Sequence, residues 1–102
     1  MGLQYPNVVH AGGRVAGTNG AKTSGAGFTS ARSATGTYDL TLEIPADATE
    51  CWITGSIQGA TQGQLHFVDT SDSVKQVLTF GASGTVATDL DFNVTIMRAP
   101  SQ

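Results

Sequence analysis

Hydrophobic and polar positions alternate with a period of two in two stretches of this chain. Residues 37–44 read TYDLTLEI and residues 90–96 read LDFNVTI, so every second side chain in each stretch is apolar. Successive side chains of a β-strand point to opposite faces, which places one set in a core and the other in water. The pattern therefore predicts a half-buried strand in each stretch.

Shorter apolar runs fill much of the remaining chain, and clusters of turn-forming residues separate them. Strands are predicted at residues 8–16, 28–32, 37–44, 50–59, 65–70, 74–80 and 90–96. The second and third of these are predicted to pair as a hairpin, and residues 17–27 are predicted to form a glycine-rich loop. Gly12 and Gly13 are predicted to mark a bulge or a close backbone approach inside the first strand.

Seven to eight short strands without helical periodicity predict an all-β fold, an antiparallel β-sandwich of the jelly-roll type. The 102 residues are predicted to contain a single domain at 8–98, with an N-terminal arm at 1–7 and a C-terminal tail at 99–102. A chain of 10.5 kDa has a modest core. Association with other copies would therefore add stability.

The charge pattern excludes several classes of partner. Charged residues make up 13% of the chain, the net charge is −3, and the five cations are scattered at Arg14, Lys22, Arg32, Lys75 and Arg98. No basic patch forms, so neither a nucleic-acid backbone nor an anionic membrane surface is an expected partner. No apolar run is long enough to cross a bilayer. The single cysteine, Cys51, excludes an intrachain disulfide and favours synthesis in a reducing cytoplasm.

The residues that could act in catalysis or bind a metal do not occur at the spacings of known motifs. His10 and His66 could join Glu50, Asp69 or Asp72 in a triad or a metal site, but structural and surface roles are the more common ones. The pairs Asp69/Asp72 and Asp89/Asp91 could bind calcium, or they could simply bond the backbone of their own loops. We expect no enzymatic activity, no bound metal and no cofactor.

Trp52 is the residue that points to a partner. It alternates with Cys51, Ile53 and Ile57, so it is predicted to face outward while they face the core. An outward tryptophan on a small sandwich indicates a surface that a partner covers. The predicted oligomer interface comprises Trp52, Tyr38 and Phe92, with a core position as the alternative for Tyr38.

Two segments carry a resemblance to a known class of proteins. The order VVHAGGRVAGTNGAKTSGAGFTSARSATGTYDLTL, at residues 8–42, followed by ATDLDFNVTIMRA, at residues 87–99, resembles small phage virion proteins. The shared features are a GRV strand, a GxGF…R…TGTYDLTL hairpin and a closing DxDFxVxIxR strand. Similar strand patterns occur in the trimeric jelly-rolls of C1q and tumour necrosis factor, a structural analogy only.

The resemblance implies a homotrimer on the virion surface, synthesised in the host cytoplasm. The short arm favours a capsid decoration, cement or short spike protein. Leu3, Tyr5 and Pro6 of that arm would attach it to other capsid or tail proteins. One alternative is the knob of a head or tail fibre that binds a host receptor or surface glycan. Its recognition loops would then contain Asn19, Lys22, Asp69 and Asp72. The other alternative is a hydrolase that uses the histidines and aspartates.

Overall fold

The computed structural model describes residues 8–47, 49–59 and 61–98. Eight strands form two antiparallel four-stranded sheets. Sheet I has the strand order β2-β1-β8-β5, and sheet II has the order β3-β4-β7-β6. The strands are β1 (Val8–Val15), β2 (Lys22–Ala26), β3 (Phe28–Ala34), β4 (Thr37–Leu42), β5 (Cys51–Ile57), β6 (Gly63–Asp69), β7 (Val74–Gly81) and β8 (Phe92–Arg98). The predicted all-β sandwich of seven to eight strands is confirmed.

The core lies between β8 of sheet I and β4 of sheet II. The period-two alternation buries one face of each strand: Tyr38, Leu40 and Leu42 in β4, and Phe92, Val94 and Ile96 in β8. The rings of Tyr38 and Phe92 meet across the two sheets, with centroids 5.1 Å apart and a tilt of 57°. Tilted aromatic pairs of this kind stabilise a core beyond the area that they bury.

Strand β7 buries two polar side chains, whereas three of its apolar side chains lie on its outer face. Its buried face carries Lys75, Val77 and Thr79. Its outer face carries Val74, Leu78 and Phe80, which share a face as the sequence predicts. The two buried polar side chains are tolerated because both are hydrogen-bonded: the Lys75 ammonium has several oxygen partners, and the Thr79 hydroxyl donates to the Thr88 carbonyl.

Residues 17–27 are only partly the predicted loop, because residues 22–26 form the edge strand β2. Gly13 and Gly25 are register partners in the β1–β2 pair, and their backbones lie too close for any side chain between them. Gly25 also has a φ of +109°, which side chains of other residues rarely permit. The predicted close approach of the β1 backbone is confirmed, and the register of β1 against β8 shifts between Val9 and Ala11.

The sandwich has two distinct ends and two distinct sides. End 1 holds the β1–β2 loop, the β3–β4 turn and the start of β8, whereas end 2 holds the β6–β7 turn, the start of β1 and the end of β8. On one side, Gly27 alone joins the edge strand β2 of sheet I to the edge strand β3 of sheet II. On the other side, the edge strands β5 and β6 face each other.

Candidate functional site

An exposed apolar row crosses the outer face of sheet I near end 2. Trp52 in β5 lies opposite Met97 in β8, and Met97 lies opposite Val9 in β1. The exposed fractions are 42% for Trp52 and 61% for Val9. Ile53 and Ile57 of β5 pack against the core, so the alternation of the strand turns Trp52 outward as the sequence predicts.

The rest of this outer face carries small and uncharged side chains. Within the described residues, Arg14 is its one charged member. The outward positions are Val9, Gly12, Arg14, Ser24, Ala26, Trp52, Thr54, Ser56, Asn93, Thr95 and Met97. The centres of protein interfaces are depleted in charge and enriched in aromatic residues and methionine. The composition of this face therefore suits contact with another protein.

Two of the three predicted interface residues lie in the core instead. Tyr38 and Phe92 expose none of their surface, so neither can touch a second copy of this fold. The prediction that they belong to an interface is corrected, whereas the core alternative for Tyr38 is the observed one. Their positions follow from the same alternation as Leu40 and Val94, which are buried beside them.

The histidines and acids of the enzyme hypothesis lie on different strands and turns of the sandwich. The His10 ring lies on β1 of sheet I and hydrogen-bonds the Ile44 carbonyl. His66 lies opposite Leu78 on the outer face of sheet II. Among the described residues, no group of three histidine, cysteine, aspartate or glutamate side chains could hold a metal ion. The described parts of the chain therefore do not assemble the metal site considered for these residues, and His10 and His66 lie in different sheets.

Asp69 binds a fully buried lysine. The Nζ atom of Lys75 lies 2.9 Å and 3.0 Å from the two carboxylate oxygens of Asp69, and it also donates to the carbonyls of Ala46 and Ser71. Lys75 has no exposed surface, while the Asp69 side chain keeps 30% of its own. Through its bond to the Ala46 carbonyl, the Lys75 ammonium joins the β6–β7 turn to the segment after β4. The sequence marks both residues as charged but does not show that one is buried.

Asp89 forms the second polar cluster, at end 1. Its carboxylate accepts bonds from the Arg32 guanidinium, from the Gly36 N–H at 2.7 Å and from the Tyr38 hydroxyl at 3.2 Å. The bond from Arg32, followed by that from Gly36, holds the pKa of Asp89 below its ordinary value. Its neighbour Asp91 accepts the Gly17 N–H at 2.7 Å. Both aspartates therefore bond loop backbone, which is the alternative to calcium binding considered above.

The two predicted recognition loops lie at opposite ends of the sandwich. At end 1, the Asn19 side chain accepts the Ala21 N–H within the β1–β2 loop, and the Lys22 ammonium lies 5.3 Å from the centre of the Phe28 ring. Asp69 and Asp72 lie at end 2, in and beside the β6–β7 turn. The fibre-knob hypothesis makes both loops the binding surface, and this is corrected: the length of the strands separates the two loops, so they form no single continuous surface.

Two further features singled out in the sequence are the attachment arm and the single cysteine. Leu3, Tyr5 and Pro6, predicted as the attachment arm, lie outside the described residues. Cys51 is half-buried at the start of β5, and burial raises the pKa of its thiol. A raised pKa leaves less of the reactive thiolate at neutral pH.

Comparison with known proteins finds no matching family model, no matching curated protein and no matching solved structure. Within the described part of the chain, no helix is long and apolar enough to span a bilayer. The inference of function therefore depends on the surface itself.

Proposed function

We propose that this protein is a non-enzymatic structural component of a phage particle that works by binding other copies of itself and neighbouring particle proteins. The observation that carries the proposal is the apolar row of exposed Trp52, half-buried Met97 and exposed Val9, on a face with a single charge among the described residues. A contiguous exposed apolar patch on a small domain marks a protein contact rather than a solvated surface.

The polar clusters support a structural role. The carboxylate of Asp69 neutralises the buried Lys75, while that of Asp89 bonds Arg32 and the backbone of Gly36. Groups held in this way stabilise loops, whereas a general acid or base needs access to a substrate proton. The assignment to a phage particle comes from the sequence resemblance, and so does the proposed number of three subunits.

In the proposed trimer, the Trp52 row of each copy is covered by a neighbouring copy. Apolar area removed from water stabilises association by roughly 25 cal/mol per Å² before the entropy of association is subtracted. Attachment of the N-terminal arm to other capsid or tail proteins stays a prediction from the sequence.

Replacing Trp52 tests this proposal. We expect sedimentation equilibrium to give the wild-type protein a mass that is a multiple of three chains, and Trp52→Thr to abolish the threefold association. Val86→Thr is the matched control, because Val86 is an exposed apolar residue, at 62%, outside this row. A second readout is electron microscopy of phage particles that lack the protein and are incubated with each variant.

The proposal requires density on the particle with wild-type protein and with Val86→Thr, but not with Trp52→Thr. It is wrong if the wild type stays monomeric at high concentration, or if Trp52→Thr assembles and binds particles as the wild type does. Binding of host surface glycans without particle binding would instead favour the fibre-knob alternative.

A further inference from the structure

The two sides of the sandwich are closed to different degrees. On the side of β2 and β3, Gly27 alone links the two sheets, and Phe28 is completely buried behind it. The chain also passes from one sheet to the other on the opposite side, between Ile57 and Gly63 at end 1. On the side of β5 and β6, the core-facing residues stay partly exposed although they pack against the core. This side, called the open side below, comprises Cys51, Ile53, Ile57, Leu65 and Phe67.

The edges on the open side also lack the usual protection against pairing. Within the described residues, β5 pairs only with β8 and β6 only with β7, so each strand leaves a row of backbone groups unpaired. Natural edge strands are commonly protected by charged residues, and β2 and β3 carry Lys22 and Arg32. No residue of β5 is charged, and the one charged residue of β6 is Asp69, which lies at the very end of the strand.

We propose that a second copy of this chain covers the open side, related by a twofold axis perpendicular to the sheets. Such an axis places β5 antiparallel to β5 of the second copy and β6 antiparallel to its β6. Each four-stranded sheet then continues into an eight-stranded one. The contact is isologous, because the same strands meet their own counterparts.

The strand lengths define the register of this contact. Both edge strands have seven residues, so complete overlap places Thr54 and His66 on the axis, each opposite its own copy. Leu65 then lies opposite Phe67 of the second copy, and Cys51 lies opposite Ile57. Opposed residues of an antiparallel pair point to the same face, so these apolar pairs extend the core across the junction.

The area of the open side suits a reversible dimer. Seven residues span about 23 Å, and two sheets about 10 Å apart with their outer side chains make a wall about 20 Å thick. The contact therefore hides roughly 900 Å² in total, below the standard interface of about 1,600 Å². A second copy also adds backbone hydrogen bonds in both sheets. We expect a dimer that forms and dissociates with protein concentration.

This contact uses the edges of β5 and β6, whereas the proposed trimer contact uses the outer face of sheet I, to which β5 also contributes. Thr54 belongs to both regions, so the test uses His66, which lies on the outer face of sheet II. His66→Asp places two carboxylates opposite each other at the axis, and His66→Lys places two ammonium groups there. Like charges directly opposite each other destabilise a strand pair, whereas opposite charges stabilise it. Thr29→Asp is the matched control, on the exposed outer face of the edge strand β3.

The readout is chain number by sedimentation equilibrium and native mass spectrometry at pH 8. We expect an even number of chains for the wild type and Thr29→Asp: six if the trimer also forms, and two if it does not. Each His66 variant alone should have half the wild-type mass, while circular dichroism shows it folded. An equimolar mixture of His66→Asp and His66→Lys should recover the full mass.

The dimer proposal is overturned by an odd number of chains in the wild type, or by His66 variants that keep the wild-type mass. It is also overturned if the mixture fails to recover the full mass. A wild type of three chains would support the trimer and reject this contact, whereas a wild type of two chains would do the reverse. The two proposals can therefore fail independently.

Discussion

Lys75 and Asp69 form an ion pair across the β6–β7 turn, in which the ammonium is wholly buried and the carboxylate is partly solvated. The pair also holds Ala46 of the preceding segment, whose carbonyl accepts a bond from the same ammonium at 2.7 Å. The arrangement is asymmetric: the carboxylate retains contact with water, whereas the ammonium has only protein oxygens.

Removing the carboxylate alone should therefore be more harmful than removing both charges. We expect Asp69→Asn to lower the free energy of unfolding by about 2–3 kcal/mol, because the buried ammonium loses its counter-charge. The double variant Asp69→Asn/Lys75→Met should recover part of that loss. Denaturation in urea measures both, and Asp72→Asn in the same turn is the control, with an expected change within about 0.5 kcal/mol. Additive losses in the double variant would contradict this account.

Asp89 should make the fold sensitive to acid. Its pKa is held below the ordinary value by Arg32 and Gly36, so its contribution to stability is present above the unfolded pKa of about 3.9 and is lost as the pH falls through the folded value. Asp89→Asn should lower the melting temperature at neutral pH and flatten its decline below about pH 4.

Thermal unfolding from pH 6 to pH 2 tests this prediction. Some decline should remain in the variant, because the pKa of Asp47 is lowered too, through its bonds from the Thr49 N–H and hydroxyl. Asp47→Asn combined with Asp89→Asn should flatten the curve further. An acid limb in Asp89→Asn that superimposes on that of the wild type would reject the role of Asp89.

Gly13 should not tolerate even a methyl group. A Cβ atom there would overlap the Ser24 carbonyl and the Gly25 backbone, which cannot move without separating β1 from β2. We expect Gly13→Ala to cost on the order of 3 kcal/mol, the upper range for overpacking. Gly81→Ala is the control, since its nearest neighbour would be the Thr88 hydroxyl at 3.3 Å. Equal melting temperatures for the two variants would contradict the close approach.

The strands with alternating patterns were predictable because burial on one face determines their composition. Strands β4 and β8 show this directly, since Tyr38 and Phe92 alternate with residues that reach water. The hairpin of β3 and β4 followed from the turn at Gly36, whose φ is +67°. The outward position of Trp52 followed from the same period-two reasoning.

Other features depend on contacts that no local pattern encodes. Strand β2 has the composition of a loop, and it pairs as a strand where Gly25 packs on Gly13 of β1, twelve residues earlier in the chain. The buried face of β7 contains Lys75, which hydropathy assigns to the surface, because distant oxygens satisfy it. The open side could not be predicted from the sequence either, because it forms where two edge strands of different sheets face each other.

The pairing of β1 with β8 has a mechanical consequence. Val8 and Arg98 are register partners, so the first residue of β1 and the last residue of β8 lie beside each other at end 2. A force that pulls Val8 and Arg98 apart would break the hydrogen bonds between β1 and β8 one after another, starting at this end. A force applied at opposite ends of the two strands would instead act along them, and it would strain all the hydrogen bonds between β1 and β8 at once. The β1–β8 pair should therefore resist a force that separates Val8 from Arg98 less than a force along its strands.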